Sequence, residues 1–177
     1  MAQHTEAWQV FDSTGTPVQG EGISPVESRK TDKVIVGAVH AWIWRRTNTG
    51  GIEVLLQHRA VDKPTWPDYL DISVAGHIDK SEDVISALQR EALEEVGVTF
   101  EADRLEYIFG YRNFQNGIKW VYLYEQVRDV KYTFNDGEVQ GLKWVTLDTF
   151  DQMLKAPEEN NLVPHPVEYF SLLLKAL

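Results

Sequence analysis

The 177-residue sequence contains no cysteine. That absence excludes disulfides, thiolate metal sites and a cysteine nucleophile together. No apolar run approaches the length of a membrane span, so no membrane partner is expected. Positive charge is scarce, with 17 Lys and Arg against 27 Asp and Glu, and the formal net charge is −10. Nucleic acid is therefore not an expected partner, because its binding rests on neutralising phosphates. An acidic chain still holds an anionic small molecule if it has a local basic cluster or a metal ion. The opening stretch MAQHTEAWQV lacks the charged and apolar regions of a signal peptide. With the missing cysteines, this fits a cytoplasmic protein. What is present is ordinary for a soluble globular domain: 43% hydrophobic and 25% charged residues. The length suits one domain, residues 1–177, with a sizeable core. A homodimer is compatible with these features and not specified by them.

The order of elements follows from local patterns. Residues 1–32 are polar and rich in turn-formers, and read as an N-terminal arm with a short hairpin around Gly15. VIVGAVHAWIW (34–44) and IEVLLQHRA (52–60) read as strands joined by the turn TNTGG. VDKPTWPDY (61–69) is a loop broken by Pro64 and Pro67, and LDISVAGHI (70–78) a short strand. Apolar residues at Ile85, Leu88, Ala92 and Val96 predict a helix from Glu82 to Val96, stopped by Gly97. Strands are expected at 104–112, 119–127 and 142–147, a short helix at 148–156 capped by Asp148, and a last helix at 166–177. Strands and helices are mixed and the first two long strands form a hairpin, so the fold class is α+β, with a mixed rather than doubly wound parallel sheet.

One stretch concentrates acid. GHIDKSEDVISALQREALEEVGV, residues 76–98, holds six acids and two bases. Glu91, Glu94 and Glu95 are related as i, i+3 and i+4, so on an α-helix they share an arc roughly 100° wide. The arc borders the apolar stripe, which leaves the three partly exposed. Like charges at these spacings repel. Carboxylates converging beside a core are costly unless something neutralises them, and a hard divalent cation does so through oxygen ligands. An isolated E-x-x-E-E is more often a solvated acidic helix face.

The wider spacing is more specific. Gly76, Glu82, Arg90, Glu91, Glu94, Glu95 and Gly97 fit the pattern G-x5-E-x7-R-E-U-x-E-E-x-G-U, where U is a bulky aliphatic residue. Seven such matches have odds on the order of 10⁻⁹ per starting position at average residue frequencies. The stretch resembles the signature of the Nudix hydrolase family. Val98 fits the last U, and Ala92 at the first is smaller than usual. The resemblance implies the Nudix fold, a mixed-sheet α/β/α sandwich. It also implies a loop–helix–loop that binds Mg²⁺ or Mn²⁺ and cleaves a diphosphate bond by attack of water. It assigns metal binding chiefly to Glu91 and Glu95, with Glu94 close by, Glu82 in support and the Gly76 carbonyl as a further ligand. Arg90 is implied to orient a neighbouring glutamate.

A looser similarity covers residues 6–100. LLQHRAVDKPTWPDYLDISVAGHI and EAWQVFDSTGTP resemble a Nudix subgroup related to isopentenyl-diphosphate isomerase. Asp68 stands where that subgroup commonly has glycine. Arg59 and Lys63 are then candidate anchors for substrate phosphates, or else surface charges at a strand end. Trp66 and Tyr69 are placed to stack on a base, or to pack against the arm. The isomerase uses a cysteine just before its G-H pair and histidine metal ligands. This chain has Ala75 there and Gly37 where one of those histidines would align, which argues against isomerisation. His77 is retained and His40 lies on the first long strand, and both also suit structural roles. Family members often recruit a further acid after the box, as general base or extra ligand. Glu138 in FNDGEVQGLKWV is the first candidate and Glu125 the second, each set against a plain loop or strand acid. The expected function is metal-dependent pyrophosphohydrolysis of a small nucleoside diphosphate derivative. Isomerase-like chemistry and a non-catalytic ligand-binding module are the alternatives.

Overall fold

The computed structural model describes residues 7–31, 33–113 and 117–177. Residues 1–6 and Asp32 of the expected arm lie outside the described residues. The rest of the arm is built into the sheet. Trp8–Phe11 forms β1 and Pro17–Ile23 forms β2, antiparallel about a turn with Gly15 at φ 84°. The Asp12 carboxylate shapes that turn by accepting the N–H groups of Thr14 and Thr16. A four-residue helix that the sequence pattern does not announce, α1 (Pro25–Ser28), follows its cap Ser24.

β3 (Ile35–Arg46) is the hub of the fold. It pairs antiparallel with β1, with β4 (Ile52–Arg59) across the expected hairpin, and with β6 (Val74–His77). Its other edge runs parallel to β8 (Gly117–Glu125), which pairs in turn with β7 (Leu105–Asn113). β9 (Val139–Thr146) lies antiparallel to β4. The stretch 70–78 is two strands, not one. β5 (Leu70–Asp71) pairs with β4 and β6 with β3, and the chain crosses between them at Ile72 and Ser73. The crossing would orphan backbone groups where β3 and β4 part. The Ser73 hydroxyl accepts the Ile43 N–H at 2.8 Å and donates to the Leu55 carbonyl.

Alternation along β3 and β4 sorts side chains to two faces. Val39, Ala41, Ile43 and Leu55 pack under α2 (Val84–Glu91) and the turn that follows it, with Ala87, Leu88, Ala92 and Val96. Trp42, Val54 and Leu56 pack on the other face with Phe150, Tyr169, Phe170 and Leu173. Those last residues come from α3 (Leu147–Met153) and α4 (Val167–Ala176). The arrangement is the expected α+β sandwich of helix, mixed sheet and helices. α3 is capped by Thr146, whose hydroxyl accepts the Thr149 N–H, and not by Asp148. Thr146 holds the extended backbone a cap requires, while Asp148 already lies in the first turn. No helix among the described residues is long and apolar enough to cross a membrane.

Candidate active site

The acid-rich stretch departs from a uniform helix. α2 runs over Val84–Glu91, and a wider π turn continues it over Ala92–Val96. Its start is Asp83, not Glu82: the Asp83 carboxylate accepts the N–H groups of Ile85 and Ser86 at 2.9 and 2.8 Å. Gly97 ends the turn at φ 72°, as expected. A Cβ there would also stand 1.9 Å from Thr133 Oγ1.

The three glutamates are not equally exposed, and their order follows their distance around the helix from the apolar stripe. Glu94 keeps 48% of its side chain exposed and Glu91 only 13%, while Glu95 is 3% exposed as a residue. Glu95 lies in the π turn and reaches the edge of β6, where its carboxylate accepts the Ala75 N–H at 3.0 Å. Glu91 fills the space over Gly76, where a Cβ would lie 1.9 Å from its carboxyl carbon. Gly76 is thus a cradle for a carboxylate.

Arg90 gathers the remaining acids. It donates to Glu91 at 2.8 Å, to Glu94 at 3.0 Å, to both oxygens of Glu82 at 3.1 and 3.0 Å, and to the His77 carbonyl at 2.8 Å. Glu82 also accepts the Asp79 N–H, so the guanidinium fixes the loop between β6 and α2 as well as the acids. Even so, burial raises Glu91 to about 7, with Arg90 acting in the opposite direction. Burial pushes Glu95 well above the usual carboxylate range; the Ala75 N–H offsets part of this, and Glu91, Asp136 and Glu138 add to it.

Those last two acids arrive on the loop before β9. The loop is tied to the end of the π turn: Thr133 N–H donates to the Val96 carbonyl, Asn135 N–H to that of Glu94, and Asn135 Nδ2 to that of Leu93. Beyond this anchor the Asp136 carboxylate accepts the Glu138 N–H at 2.8 Å. Glu138 pairs with Lys63 and lies close enough to repel charge on Glu91 and Glu95. The first candidate loop acid therefore stands at the site. Glu125 does not: it pairs with Arg46 at the far end of β3. Asp136 escapes the sequence reading, and only its spacing two residues before Glu138 could signal it. Burial raises its carboxyl too, the Glu138 N–H counteracting and the Glu138 charge reinforcing the effect.

The proposed substrate residues divide. Lys63 stands beside Glu138. Arg59 is turned onto its own loop: it donates to the Asp71 carboxylate at 3.0 Å and to the carbonyls of Trp66 and Thr65 at 3.1 and 2.9 Å. Its guanidinium holds the loop rather than projecting into solvent as a surface charge. Trp66 and Tyr69 pack on each other, ring centroids 5.1 Å apart, and Trp66 stays 39% exposed. His40 is hydrogen-bonded to the Tyr169 hydroxyl at 2.9 Å within the core, and burial drives its pKa far down. His77 lies flat on Trp8, ring centroids 3.5 Å apart.

Among the described residues no three acidic or imidazole side chains converge as a ready-made metal cage. Arg90 accounts for this, since it takes up Glu82, Glu91 and Glu94 on one guanidinium. The donor set nevertheless fits a hard divalent cation. It offers only oxygens, and burial holds two of its carboxyls above their usual range, the cost that a nearby cation removes.

Comparison with known proteins places the chain in a family. The NUDIX domain model matches residues 36–165. "Nudix hydrolase 3" of Arabidopsis thaliana is 32% identical over 142 residues, which is 73% of this chain but 18% of that protein. An "Isopentenyl-diphosphate Delta-isomerase" of Clavibacter sepedonicus is 30% identical over 105 residues, 59% of this chain and 52% of that protein. The chain therefore spans well under two thirds of the length of either relative. The crystal structure of DR0079 from Deinococcus radiodurans shares the fold with a TM-score of 0.70 at 21% identity, over 97% of this chain and 98% of that one. The match spans most of the chain, from the hub strand through α2 and the π turn, and the chain belongs to the Nudix hydrolase family.

Proposed function

We propose that the chain is a divalent-metal-dependent pyrophosphohydrolase acting on a small nucleoside diphosphate derivative. The observation that carries this reading is the pair of buried carboxyls, Glu91 and Glu95, over a glycine cradle and beside a loop acid. Glu91, Glu95 and the Gly76 carbonyl would hold Mg²⁺ or Mn²⁺, with Glu94 and Glu82 at the margin. Such an ion supplies electrophilic stabilisation of phosphoryl oxygens and a lower pKa for its bound water. The chain's own residues do the rest. Arg90 fixes the directions of Glu82, Glu91 and Glu94, so these carboxylates need little reorganisation. Glu138 is placed to accept a proton from the attacking water at its carboxylate. Lys63, its partner, holds that carboxylate in place and offers a cation to the leaving phosphate. Arg59 keeps the loop that carries Lys63, Trp66 and Tyr69 in shape, and the Trp66–Tyr69 pair presents an exposed ring to the nucleoside.

The similarity to an isomerase keeps a second reading in view, against which Ala75 and the absence of cysteine stand. One assay separates the two. A panel of nucleoside diphosphate derivatives and one allylic diphosphate is incubated with Mg²⁺ or Mn²⁺, and the products are identified. Cleavage of the diphosphate bond to a nucleoside monophosphate and a second phosphate product, abolished by EDTA, is expected. Full activity in EDTA, or isomerised product without cleavage, overturns the proposal.

A further inference from the structure

The acidic half of the site adjoins a basic one. Lys119, Arg29, Lys63 and Arg90 all lie near enough to His77 to act on its charge, Lys119 most strongly. They come from four places in the chain: β8, the end of α1, the β4–β5 loop and α2. Lys63 and Arg90 are engaged with the acids of the site. Strand register places Lys119. Ala38 of β3 is paired with His77 of β6 on one side and with Lys119 of β8 on the other. Residues in register across neighbouring strands share a face. His77, Ala38 and Lys119 therefore form a row with only a methyl group in the middle. Strand spacing sets the His77 and Lys119 backbones roughly 9–10 Å apart. In the next row Ala75, His40 and Val121 are paired in the same way, and the N–H of Ala75 is the one that holds Glu95. These rows lie on the face of the sheet shared by Trp42 and Val121, away from α2, and Glu95 meets them at the free edge of β6, where it accepts the Ala75 N–H. From that edge the Ala75 and Ala38 methyl groups lead toward Lys119, and Trp8 backs the His77 ring. Burial lowers Lys119 to about 8, so it is still mainly cationic at neutral pH. An anion reaching it meets surroundings less screened than open water.

We propose that the His77–Ala38–Lys119 row seats a phosphoryl group of the substrate beyond the two joined by the bond that is cleaved, and that Lys119 selects for substrates carrying it. The proposal rests on the hydrolase reading and narrows its substrate class. It is tested on the intact protein with matched compounds: adenosine di-, tri- and tetraphosphate, and a nicotinamide dinucleotide with and without its 2′-phosphate. Equilibrium binding in EDTA and kcat/KM with Mg²⁺ are measured for each. The wild type is expected to prefer the more phosphorylated member of at least one set by tenfold or more. Lys119→Met, which keeps the apolar stem, should erase that preference, mainly through Kd and KM, and Lys119→Arg should restore most of it. Absence of any such preference in the wild type, or an equal loss on all members in Lys119→Met, overturns the proposal. If no compound is hydrolysed, the hydrolase reading fails by itself, and the binding ratios still decide the role of Lys119.

Discussion

Neutralising Glu91 is expected to stabilise the metal-free protein above neutral pH, although it removes a partner of Arg90. Burial raises this carboxyl from 4.5 to about 7 against the opposing pull of the guanidinium. A carboxyl whose pKa is higher in the folded state holds its proton more tightly there. The native state then binds more protons than the unfolded chain between about pH 4.5 and 7, and stability falls as pH rises through that window. At 1.36 kcal/mol per pKa unit, the gap corresponds to about 3 kcal/mol. Glu91→Gln does not titrate in the window. The difference in unfolding free energy between variant and wild type should therefore move by about 3 kcal/mol in the variant's favour from pH 4.5 to 7.5. Taking the difference cancels the other acids of this acidic chain. Urea unfolding in EDTA at four pH values measures it. Saturating Mg²⁺ should remove the variant's advantage, because a cation at the site stabilises the wild-type carboxylate. Parallel pH profiles for the two proteins in EDTA would refute the reasoning.

Glu95→Gln should lower kcat at least about a hundredfold, since it removes an anionic ligand, while its amide oxygen still accepts the Ala75 N–H. A near wild-type rate would place the site elsewhere. Gly76→Ala should give a comparable loss in kcat, because the new methyl group occupies the position of the Glu91 carboxyl; steady-state kinetics with unaltered rates would show that Glu91 need not lie over Gly76. Lys63→Ala should raise KM about tenfold, in line with one charge-assisted contact. Arg59→Ala should instead lower stability by about 3 kcal/mol, because Asp71 is left buried without its guanidinium. Unfolding curves and KM measured on both variants check that contrast.

The candidate site is legible in the sequence because its spacing is local. The fixed spacing from Gly76 to Gly97 depends on one loop and one helix, and it is enough to mark the cradle and the carboxylates. The strand order around β3 is half legible: the β3–β4 hairpin follows from a turn between two apolar runs, but the parallel β8 needs contacts across some eighty residues. Periodicity says more at Glu95 than partial exposure. The arc of three acids is wide enough to span buried and solvated positions: at roughly 100° per residue Glu95 lies beside Leu88 in the apolar stripe and Glu94 about 120° from it, so treating all three as partly exposed blurs a graded burial. Arg59 looks like a surface anchor in the sequence because its partners, Asp71 and two loop carbonyls, are set by the path of the loop. Lys119 carries no motif at all, and only strand register brings it beside His77.

The loop before β9 has a consequence for how the site fluctuates. The carbonyls of Leu93, Glu94 and Val96 at the end of the π turn find their donors in Thr133 and Asn135, some forty residues away in sequence. Neither segment can detach without leaving polar groups of the other unpaired. Opening is therefore a joint event: a fluctuation that lifts Asp136 and Glu138 off the site also loosens the turn that holds Glu95. In native-state hydrogen exchange the amides of Thr133 and Asn135 are expected to open together with those of the π turn, as one cooperative unit. On the proposed reading, affinity for a divalent ion and opening of the loop would be two measures of a single equilibrium. A change in the loop that touches neither metal nor substrate would register as weaker metal binding.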